Sequence, residues 1–436
     1  MRIVEREIRV PAPRGADIIS HLRDRVGEAL GEDGTPVRMV VTESGNGAYA
    51  CEIGVLERTD SETMPPIQSI FDFSARAWEN TDSFCTVLIV PTGIGAEIGG
   101  HSGDATPVAR MLAKVSDTLI THPNVVNASD INELPENGLY VEGSILCRLL
   151  MGTVGLRKTR SNRVLIALDA AHDDRWVDAA VNAVNAARST YGLDTAGIVV
   201  IEPPLRLVSR YTASGRATGE IEGIEGLLNV LDSWRGRFDA VAIASVVDVP
   251  FSYHMGYFSS GGEMVNPWGG VEALLTHTAS SAYNVPTAHA PMMDSEEVAA
   301  IDPGVVDPRM ASEIISTTFI QCVLKGMHRA PGLVLGPDAV ARPGAITAAD
   351  ISCLVIPDGC VGLPTLAALA QGIPVIAVRE NRNLMRNDLT ALPWDEGQLL
   401  VVDNYWEAAG VVAAMRAGIA PASVRRPLSP APRISR

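Results

Sequence analysis

The feature that most constrains the fold is a repeated alternation of short β-branched runs with Ala-rich amphipathic stretches, which begins near residue 84. Glycine-rich or polar turns separate the two kinds of segment, and this order is typical of βα units around a mainly parallel sheet. We predict strands over residues 85–90, 163–169, 197–202, 239–247, 352–358 and 373–378, and helices over residues 104–115, 174–191, 270–283 and 363–371. The sequence therefore predicts an α/β fold with two lobes built on mainly parallel, Rossmann-like sheets.

The length of 436 residues is too great for one ordinary core, so we divide the chain into parts. Residues 1–80 lack the alternation and carry two β-rich runs around Gly45-Asn46-Gly47, which favours a hairpin turn. The small, basic stretch at 152–162 is typical of a connection between lobes. We predict a small N-terminal α+β element at 1–80, a first α/β lobe at 81–156, a second at 157–418 and a disordered tail at 419–436.

The charge balance argues against a nucleic-acid partner. Lys and Arg number 35 against 51 Asp and Glu, a formal net charge of -16, whereas phosphate contacts need clustered cations. The six cysteines form no CxxC pair, which is typical of reduced cytosolic thiols. The N-terminal stretch is charged where a signal peptide is apolar, and no apolar run approaches the roughly 20 residues of a membrane span. We expect a cytoplasmic protein with no membrane partner and leave self-association into a homo-oligomer open.

A glycine-rich turn, PTGIGAEIGGHSGDA, occupies residues 91–105 after the first predicted strand of the alternation. Glycine permits close backbone approach, and the N-terminus of the following helix offers unpaired N–H groups to an anion. The spacing matches neither GxGxxG nor GxxxxGK[ST], which disfavours a nucleotide site. Asp104 is expected to cap the helix, with a role as a functional acid as the alternative. The candidate ligand-binding residues of this turn are Gly93, Gly95, Gly99, Gly100 and Asp104.

A second group of candidates, His122, Asn124 and Asn127, follows the apolar run at 118–120. Open parallel sheets bind ligands at the carboxyl ends of their strands, so these side chains are placed for ligand contact. The alternative is that they satisfy backbone groups of a turn.

The long connection at 248–270 is aromatic and glycine-rich, which is typical of a lid or a binding loop. In and after it we select His254 and His289 as catalytic candidates and Asn266 and Glu272 as ligand-binding candidates. Their spacing matches no metal-ligand signature, so no metal site is predicted. His277 lies five residues after Glu272 and is expected to be structural.

A lone thiol, Cys360, lies between a predicted strand end and a helix start. The helix dipole there is expected to lower its pKa, which makes it a candidate nucleophile or base with Asp358 close by. A small packing residue is the alternative for Cys360. Arg379 and Asn381 follow the next strand and are candidate ligand contacts at the same edge.

Long strings of the sequence resemble an uncharacterised family, the domain of unknown function 3326. They lie within roughly residues 84–405 and include TGIGAEIGGHSGDATPVARMLA, LITHPNVVNAS, NPWGGVEALLTH and PDGCVGLPTLAALAQGIPVIAVRENRNLM. The resemblance implies no reaction and no catalytic residues. The stretch from PDGCVG to GIPVIAV is also similar to the cysteine-bearing turn of the aspartate/glutamate and hydantoin racemase group. That group pairs one cysteine from each of two lobes, and the turn at 91–100 carries none, which argues against a two-cysteine racemase.

The candidates together lead us to expect an enzyme that acts on a small anionic or amide-bearing metabolite in a cleft between lobes. Its class would be isomerase, lyase or C–N hydrolase, with Cys360 or Asp358 as nucleophile or proton carrier. One alternative is a nucleotide-sugar enzyme, since GLPTLAALAQGIPVIAV also looks like the donor site of sugar-nucleotide glycosyltransferases and epimerases. Another is a non-catalytic small-molecule-binding protein. The cofactor is left unknown, and the hypothesis requires the glycine turn, the histidines and the thiol to converge on one pocket.

Overall fold

Strands and helices alternate along most of the chain in the computed structural model, which describes residues 1–13, 17–31, 34–58, 65–169, 174–293, 295–336, 344–428, 430–431 and 433. The strands are β1 (Arg2–Pro11), β2 (Gly34–Gly45), β3 (Ala48–Glu57), β4 (Cys85–Leu88), β5 (Thr118–Thr121), β6 (Asn127–Ala128), β7 (Ile131–Asn132), β8 (Gly138–Tyr140), β9 (Val154–Arg157), β10 (Arg163–Leu168), β11 (Asp194–Val200), β12 (Arg206–Tyr211), β13 (Ala217–Glu222), β14 (Ala240–Asp248), β15 (Thr287–Met292), β16 (Gly332–Leu335), β17 (Ala345–Ile346), β18 (Ile351–Pro357), β19 (Val361–Gly362), β20 (Val375–Val378) and β21 (Leu399–Val402). The α-helices are α1 (Ile18–Leu30), α2 (Thr106–Lys114), α3 (Pro123–Val126), α4 (Gly143–Leu150), α5 (Asp174–Thr190), α6 (Ile224–Ser233), α7 (Phe251–Ser259), α8 (Gly269–Tyr283), α9 (Glu296–Ala299), α10 (Gln321–Arg329), α11 (Leu363–Gln371) and α12 (Tyr405–Arg416). The predicted α/β class is confirmed.

One sheet is entirely parallel, in the order β21-β20-β18-β4-β5-β8. Every residue of β4, β18 and β20 is buried, as expected of near-continuous apolar strands covered on both faces. The sheet takes three strands from residues 85–140 and three from residues 351–402. This one sheet therefore contains strands from both the predicted first lobe at 81–156 and the predicted second lobe at 157–418.

The other large sheet is mixed, in the order β11-β10-β14-β12-β13-β1-β3-β2-β19, with β15 also paired to β14. Strands β10, β11, β14 and β15 are parallel, whereas β12, β13, β1, β3, β2 and β19 pair antiparallel to one another. The two halves join where the end of β14 pairs with β12. This sheet departs from the expected Rossmann-like pattern, because strands of the predicted N-terminal element extend it with antiparallel pairs.

The predicted hairpin at Gly45-Asn46-Gly47 is confirmed. Asn46 and Gly47 have φ of 51° and 72°, and β2 and β3 pair antiparallel on either side of them. Positive φ at both central residues is the geometry that a two-residue hairpin turn of this type needs.

Three predicted irregular segments contain regular structure. The connection at 248–270 contains α7, and the stretch at 152–162 contains β9, which pairs antiparallel with β16 and β17. In the predicted tail, Pro421–Val424 forms a 3-10 turn, while residues 429, 432 and 434–436 lie outside the described residues. Among the described residues, no helix is both long and apolar enough to cross a bilayer.

Helix α8 is the element that positions the site. Its Ala, Ser and Thr side chains are small, so it packs closely against α4, β2, β13 and β15 at once. The helix begins at Gly269, one residue before the predicted start at residue 270.

Candidate functional site

A cavity of about 900 Å³ lies where the parallel strands of both sheets end. Its wall includes Thr92 beyond β4, His122 beyond β5, Glu142 beyond β8, Met293 beyond β15 and Cys360 beyond β18. Ligands of α/β proteins bind at this edge, and the volume is within the roughly 300–1,000 Å³ of small-molecule pockets. The cavity is therefore the candidate site.

One face of α8 forms a wall of the cavity. The lining residues recur at the three- and four-residue spacing of a helix face. They are Gly269, Glu272, Ala273, Thr276, His277 and Ser281. Apolar side chains such as Ile70, Leu146 and Met292 contribute much of the remaining lining.

Arg38 on β2 is a buried cation in the wall, with 7% of its surface exposed. Its Nη1 donates to Gly270 O at 3.3 Å and its Nη2 to Thr92 O at 3.3 Å. Within the described residues no carboxylate lies at ion-pair distance from it. Burial and the charge of Arg216 lower the pKa of Arg38 to about 10, so it stays protonated at neutral pH. This desolvated cation is held by two long hydrogen bonds to neutral carbonyls, and an anion in the cavity would give it a charged partner.

Glu142 and His277 form a close acid–base pair, and the charge of Arg38 acts on His277. Glu142 Oε2 accepts from Ser144 N at 2.9 Å and Ile145 N at 3.2 Å, which caps α4. Its Oε1 lies 3.3 Å from His277 Nε2. Burial raises the pKa of Glu142 and lowers that of His277 to about 3, with the positive Arg38 adding to the second shift. Both shifts favour uncharged forms, and a carboxylate with a raised pKa is a stronger proton acceptor than an exposed one.

His122, Asn124 and Asn127 line the cavity and also bind protein groups. His122 Nε2 accepts from Val90 N at 3.1 Å, which leaves the ring proton on Nδ1. Burial, with added repulsion from His277 and Arg38, lowers the pKa of His122 to about 3. Asn124 Nδ2 donates to Val90 O at 3.0 Å, and Asn127 Nδ2 donates to the hydroxyl of Tyr140 at 2.8 Å. The role of satisfying protein groups is thus present in the geometry, and ligand contact by this group stays a prediction.

His289 and Glu272 are a second histidine–carboxylate pair on the cavity wall. His289 Nδ1 lies 3.4 Å from Glu272 Oε1, and His289 Nε2 lies 2.9 Å from Ser245 Oγ. Ser245 is fully buried on β14 and is not part of the lining, so it orients the imidazole from behind. Glu272 and His277 each meet a different partner, although they share a helix.

A polar cluster around Glu313 closes another part of the wall. Glu313 Oε1 accepts from Ser102 N at 2.7 Å, from the Tyr257 hydroxyl at 3.1 Å and from Asn266 Nδ2 at 3.2 Å. Burial raises the pKa of Glu313 to about 7. His254, on α7, also lines the cavity, with its ring 5.2 Å from that of Trp268. The closing motion predicted for residues 248–270 stays a prediction.

The backbone of the glycine-rich turn is bonded to other parts of the protein. Five of its N–H groups donate to protein acceptors. Those of Glu97 and Ile98 donate to Arg382 O and Asn381 Oδ1, and those of Gly99 and His101 both donate to Asp104 Oδ1. The N–H group of Ser102 donates to Glu313 Oε1. The N-cap of α2 is Ala105, so the predicted capping role of Asp104 is wrong. Asp104 instead folds back onto the turn, and burial raises its pKa to about 7. Gly93, Gly95, Gly99, Gly100 and Asp104 are not among the lining residues.

Of the four candidates that follow β18 and β20, only Cys360 lines the cavity. Burial raises the pKa of the Cys360 thiol, so the lowered pKa expected from the helix N-terminus is wrong. Two residues separate Cys360 from the first residue of α11, and burial outweighs the dipole. Asp358 is outside the lining, and its Oδ1 accepts from Gly359 N at 2.9 Å. Arg379 is an exposed partner of Asp403.

Asn381 is fully buried and satisfied by protein groups. Its Oδ1 accepts from Ile98 N at 2.9 Å, and its Nδ2 donates to Ile98 O at 2.8 Å and to the Tyr405 hydroxyl at 2.7 Å. It holds the glycine-rich turn in place, which differs from the predicted ligand contact.

The structure thus brings eight of the predicted residues to the cavity wall: His122, Asn124, Asn127, His254, Asn266, Glu272, His289 and Cys360. The sequence reasoning passed over Arg38, Glu142, Arg148 and Glu313, and it treated His277 as structural. Glu142 carried a signal, since it is an acid at a strand end directly before Gly143 and Ser144. In the part of the chain that the structure describes, no group of three or more His, Cys, Asp or Glu is arranged to hold a metal ion.

Sequence comparison finds an uncharacterized lipoprotein of Synechococcus sp. that is 36% identical over 346 residues. The match covers 78% of this chain and 93% of the relative. The name of the relative contradicts the cytoplasmic location expected from the sequence, and that expectation is withdrawn. Scattered cysteines without a CxxC pair are compatible with other locations, so they were a weak basis for it.

No solved structure shows a significant match to the chain. The model of the family described as a protein of unknown function, DUF3326, matches residues 85–425. This range contains both strand groups of the parallel sheet and most of the cavity wall. The chain belongs to the DUF3326 family of proteins of unknown function.

Proposed function

We propose that this protein is an enzyme that binds a small anionic metabolite in the cavity and transfers a proton to or from it. The observation that carries the proposal is Arg38, a protonated and desolvated guanidinium whose neighbours at hydrogen-bond distance are two carbonyl oxygens. A carboxylate or phosphate bound there would form charge-assisted, two-pronged hydrogen bonds. The anion would offset the cost of burying the cation.

Groups suited to proton transfer surround that position. His122 and His277 line the same cavity as Arg38, and the charge of Arg38 acts on both imidazoles. Glu142 Oε1 lies 3.3 Å from His277 Nε2 in surroundings that favour the uncharged forms of both residues, and they are the proposed proton carriers. Isomerisation, elimination and C–N hydrolysis all require such a step. Cys360 would contribute a neutral thiol to the wall.

The test combines a binding measurement with a turnover measurement. Native mass spectrometry of gently purified protein identifies co-purifying anions, and calorimetry with a panel of carboxylates and phosphates measures affinity. Arg38→Met should weaken anion binding at least tenfold, while Arg210→Met, an exposed arginine paired with Glu220, is the matched control and should change nothing. Unchanged affinity in Arg38→Met would contradict the proposal.

Glu142→Gln separates an enzyme from a binding protein. It keeps the shape of the side chain and removes its proton-accepting capacity, so turnover of a ligand found in the panel should fall at least a hundredfold with little change in affinity. A ligand that wild-type protein returns chemically unaltered would show a non-catalytic binding protein instead.

A further inference from the structure

A second buried cation, Arg148 near the end of α4, lines the same cavity with 7% of its surface exposed. Its Nη2 donates to Gln68 Oε1 at 3.2 Å and to Asn284 Oδ1 at 2.8 Å. Its Nε and Nη1 are buried and have no hydrogen-bond partner among the described residues, which also place no carboxylate at ion-pair distance. Leaving buried donors unpaired is costly, so this guanidinium has unused binding capacity.

Ser281 gives a second, independent observation at the same place. Its hydroxyl is buried, lines the cavity and has no partner among the described residues. Ser281 lies in the last turn of α8, on the cavity-lining face that also carries His277 four residues earlier, and the helix ends one residue before Asn284, the residue that Arg148 contacts. Two side chains thus bring unused donors to one end of the cavity wall.

The helix α8 places this end relative to the other polar groups. Arg38 contacts Gly270 at the start of the helix, Glu142 contacts His277 in its middle, and Arg148 contacts Asn284 just beyond its end. Asn284 follows Gly270 by fourteen residue steps, which at about 1.5 Å per step is about 21 Å along the helix axis. The cavity therefore carries a cation near each end of α8, an acid–base pair between them, and apolar side chains in much of its lining.

Building on the proposed function, we propose that the ligand is elongated, with an anionic group at each end and an apolar body. Arg38 binds one anionic group, and Arg148 with Ser281 binds the other. The Glu142–His277 pair then faces the body of the ligand.

The experiment compares hexadecanedioate with hexadecanoate by calorimetry, both below the concentrations at which they form micelles. Wild-type protein should bind the diacid at least tenfold more tightly than the monoacid, because the second carboxylate gains charge-assisted hydrogen bonds. Arg148→Met should reduce the affinity for the diacid to that for the monoacid and leave the monoacid unchanged. Ser281→Ala should reduce the affinity for the diacid severalfold, and it serves as the milder variant if Arg148→Met does not fold.

The outcomes separate the two proposals. Equal affinity of both acids for wild-type protein, or a diacid preference that survives both Arg148→Met and Ser281→Ala, overturns the second anion site and leaves the Arg38 site standing. Wild-type affinities retained in Arg38→Met for every anion tested overturn the proposed function itself.

Discussion

Two buried arginines, Arg216 directly before β13 and Arg38 on β2, are close enough for one charge to act on the other, but they have different partners. Arg216 is fully buried and pairs with Glu5 and Glu52, its Nε lying 2.5 Å from Glu52 Oε2. Arg38 reaches two carbonyl oxygens. A cation paired directly with carboxylates of the fold contributes to structure, whereas a cation beside a cavity with no carboxylate at ion-pair distance among the described residues indicates a place for a ligand.

The largest change in the free energy of unfolding is expected from a substitution that removes the Arg216 cation. Arg216→Met should lower the free energy of unfolding by about 3–5 kcal/mol, because Glu5 and Glu52 would stay buried without their cation. Arg38→Met is the matched control at a site with no carboxylate partner, and it should change stability by less than about 1 kcal/mol. Urea denaturation followed by circular dichroism measures both. Similar losses in the two variants would remove the distinction between the sites.

A smaller effect is expected where the two sites meet. Gly93 follows Thr92, the acceptor for Arg38, and its carbonyl accepts from Ala217 N, next to Arg216, at 2.8 Å. Its φ is 76°, and an added Cβ would lie 2.4 Å from Ala217 O. Gly93→Ala should therefore cost about 2–3 kcal/mol of unfolding free energy through strain and displaced backbone.

The control for this substitution is Gly47→Ala, where φ is 72° and no atom lies within 4 Å of an added Cβ. That variant meets the strain of positive φ alone and should lose about 1 kcal/mol. Equal losses at the two positions would show that the close approach to Ala217 does not matter.

The sequence predicted local secondary structure more accurately than it predicted the residues of the candidate site. Residues 363–371 were predicted as a helix with the bounds that α11 has, since local periodicity and the flanking glycines decide such an element. The rule that ligands bind at the carboxyl ends of parallel strands correctly predicted that His122 and Cys360 lie at the edge of the sheet that forms the cavity. The same rule did not reach Arg38, because its place in the wall depends on how β2 packs beside α8, far away in the chain.

The glycine-rich turn and the sheet order show a second limit. The turn was predicted as an anion site, but the N–H groups of Glu97 and Ile98 donate to Arg382 and Asn381, which lie more than 280 residues away in the chain. The pairing of β4 with β18 also joins residues more than 260 positions apart. Such non-local contacts leave no periodic trace in the sequence, so only the assembled fold reveals them.

Acid should weaken the cavity region through its histidines. His277 has a pKa of about 3 in the folded protein and about 6.5 when unfolded, so the unfolded state binds more protons between these values. The free energy of unfolding should therefore fall as pH drops below 6.5. In His277→Gln the loss between pH 7.5 and pH 5 should be smaller than in wild-type protein by about 1–2 kcal/mol. An identical pH dependence would show that His277 titrates normally in the folded state.

Glu313 should give the smallest effect, with the opposite sign. Its pKa of about 7 in the folded protein exceeds the ordinary value of 4.5, so the folded state binds the extra proton between these values. Its contribution to stability is complete below pH 4.5 and is lost as pH rises through 7. Because the side chain keeps some exposure, Glu313→Gln should remove about 1 kcal/mol of this decline when unfolding is measured at pH 5 and pH 8. A decline that persists in Glu313→Gln would assign it to another acid, with Asp104 as the next variant to test, since burial raises its pKa to about 7 as well.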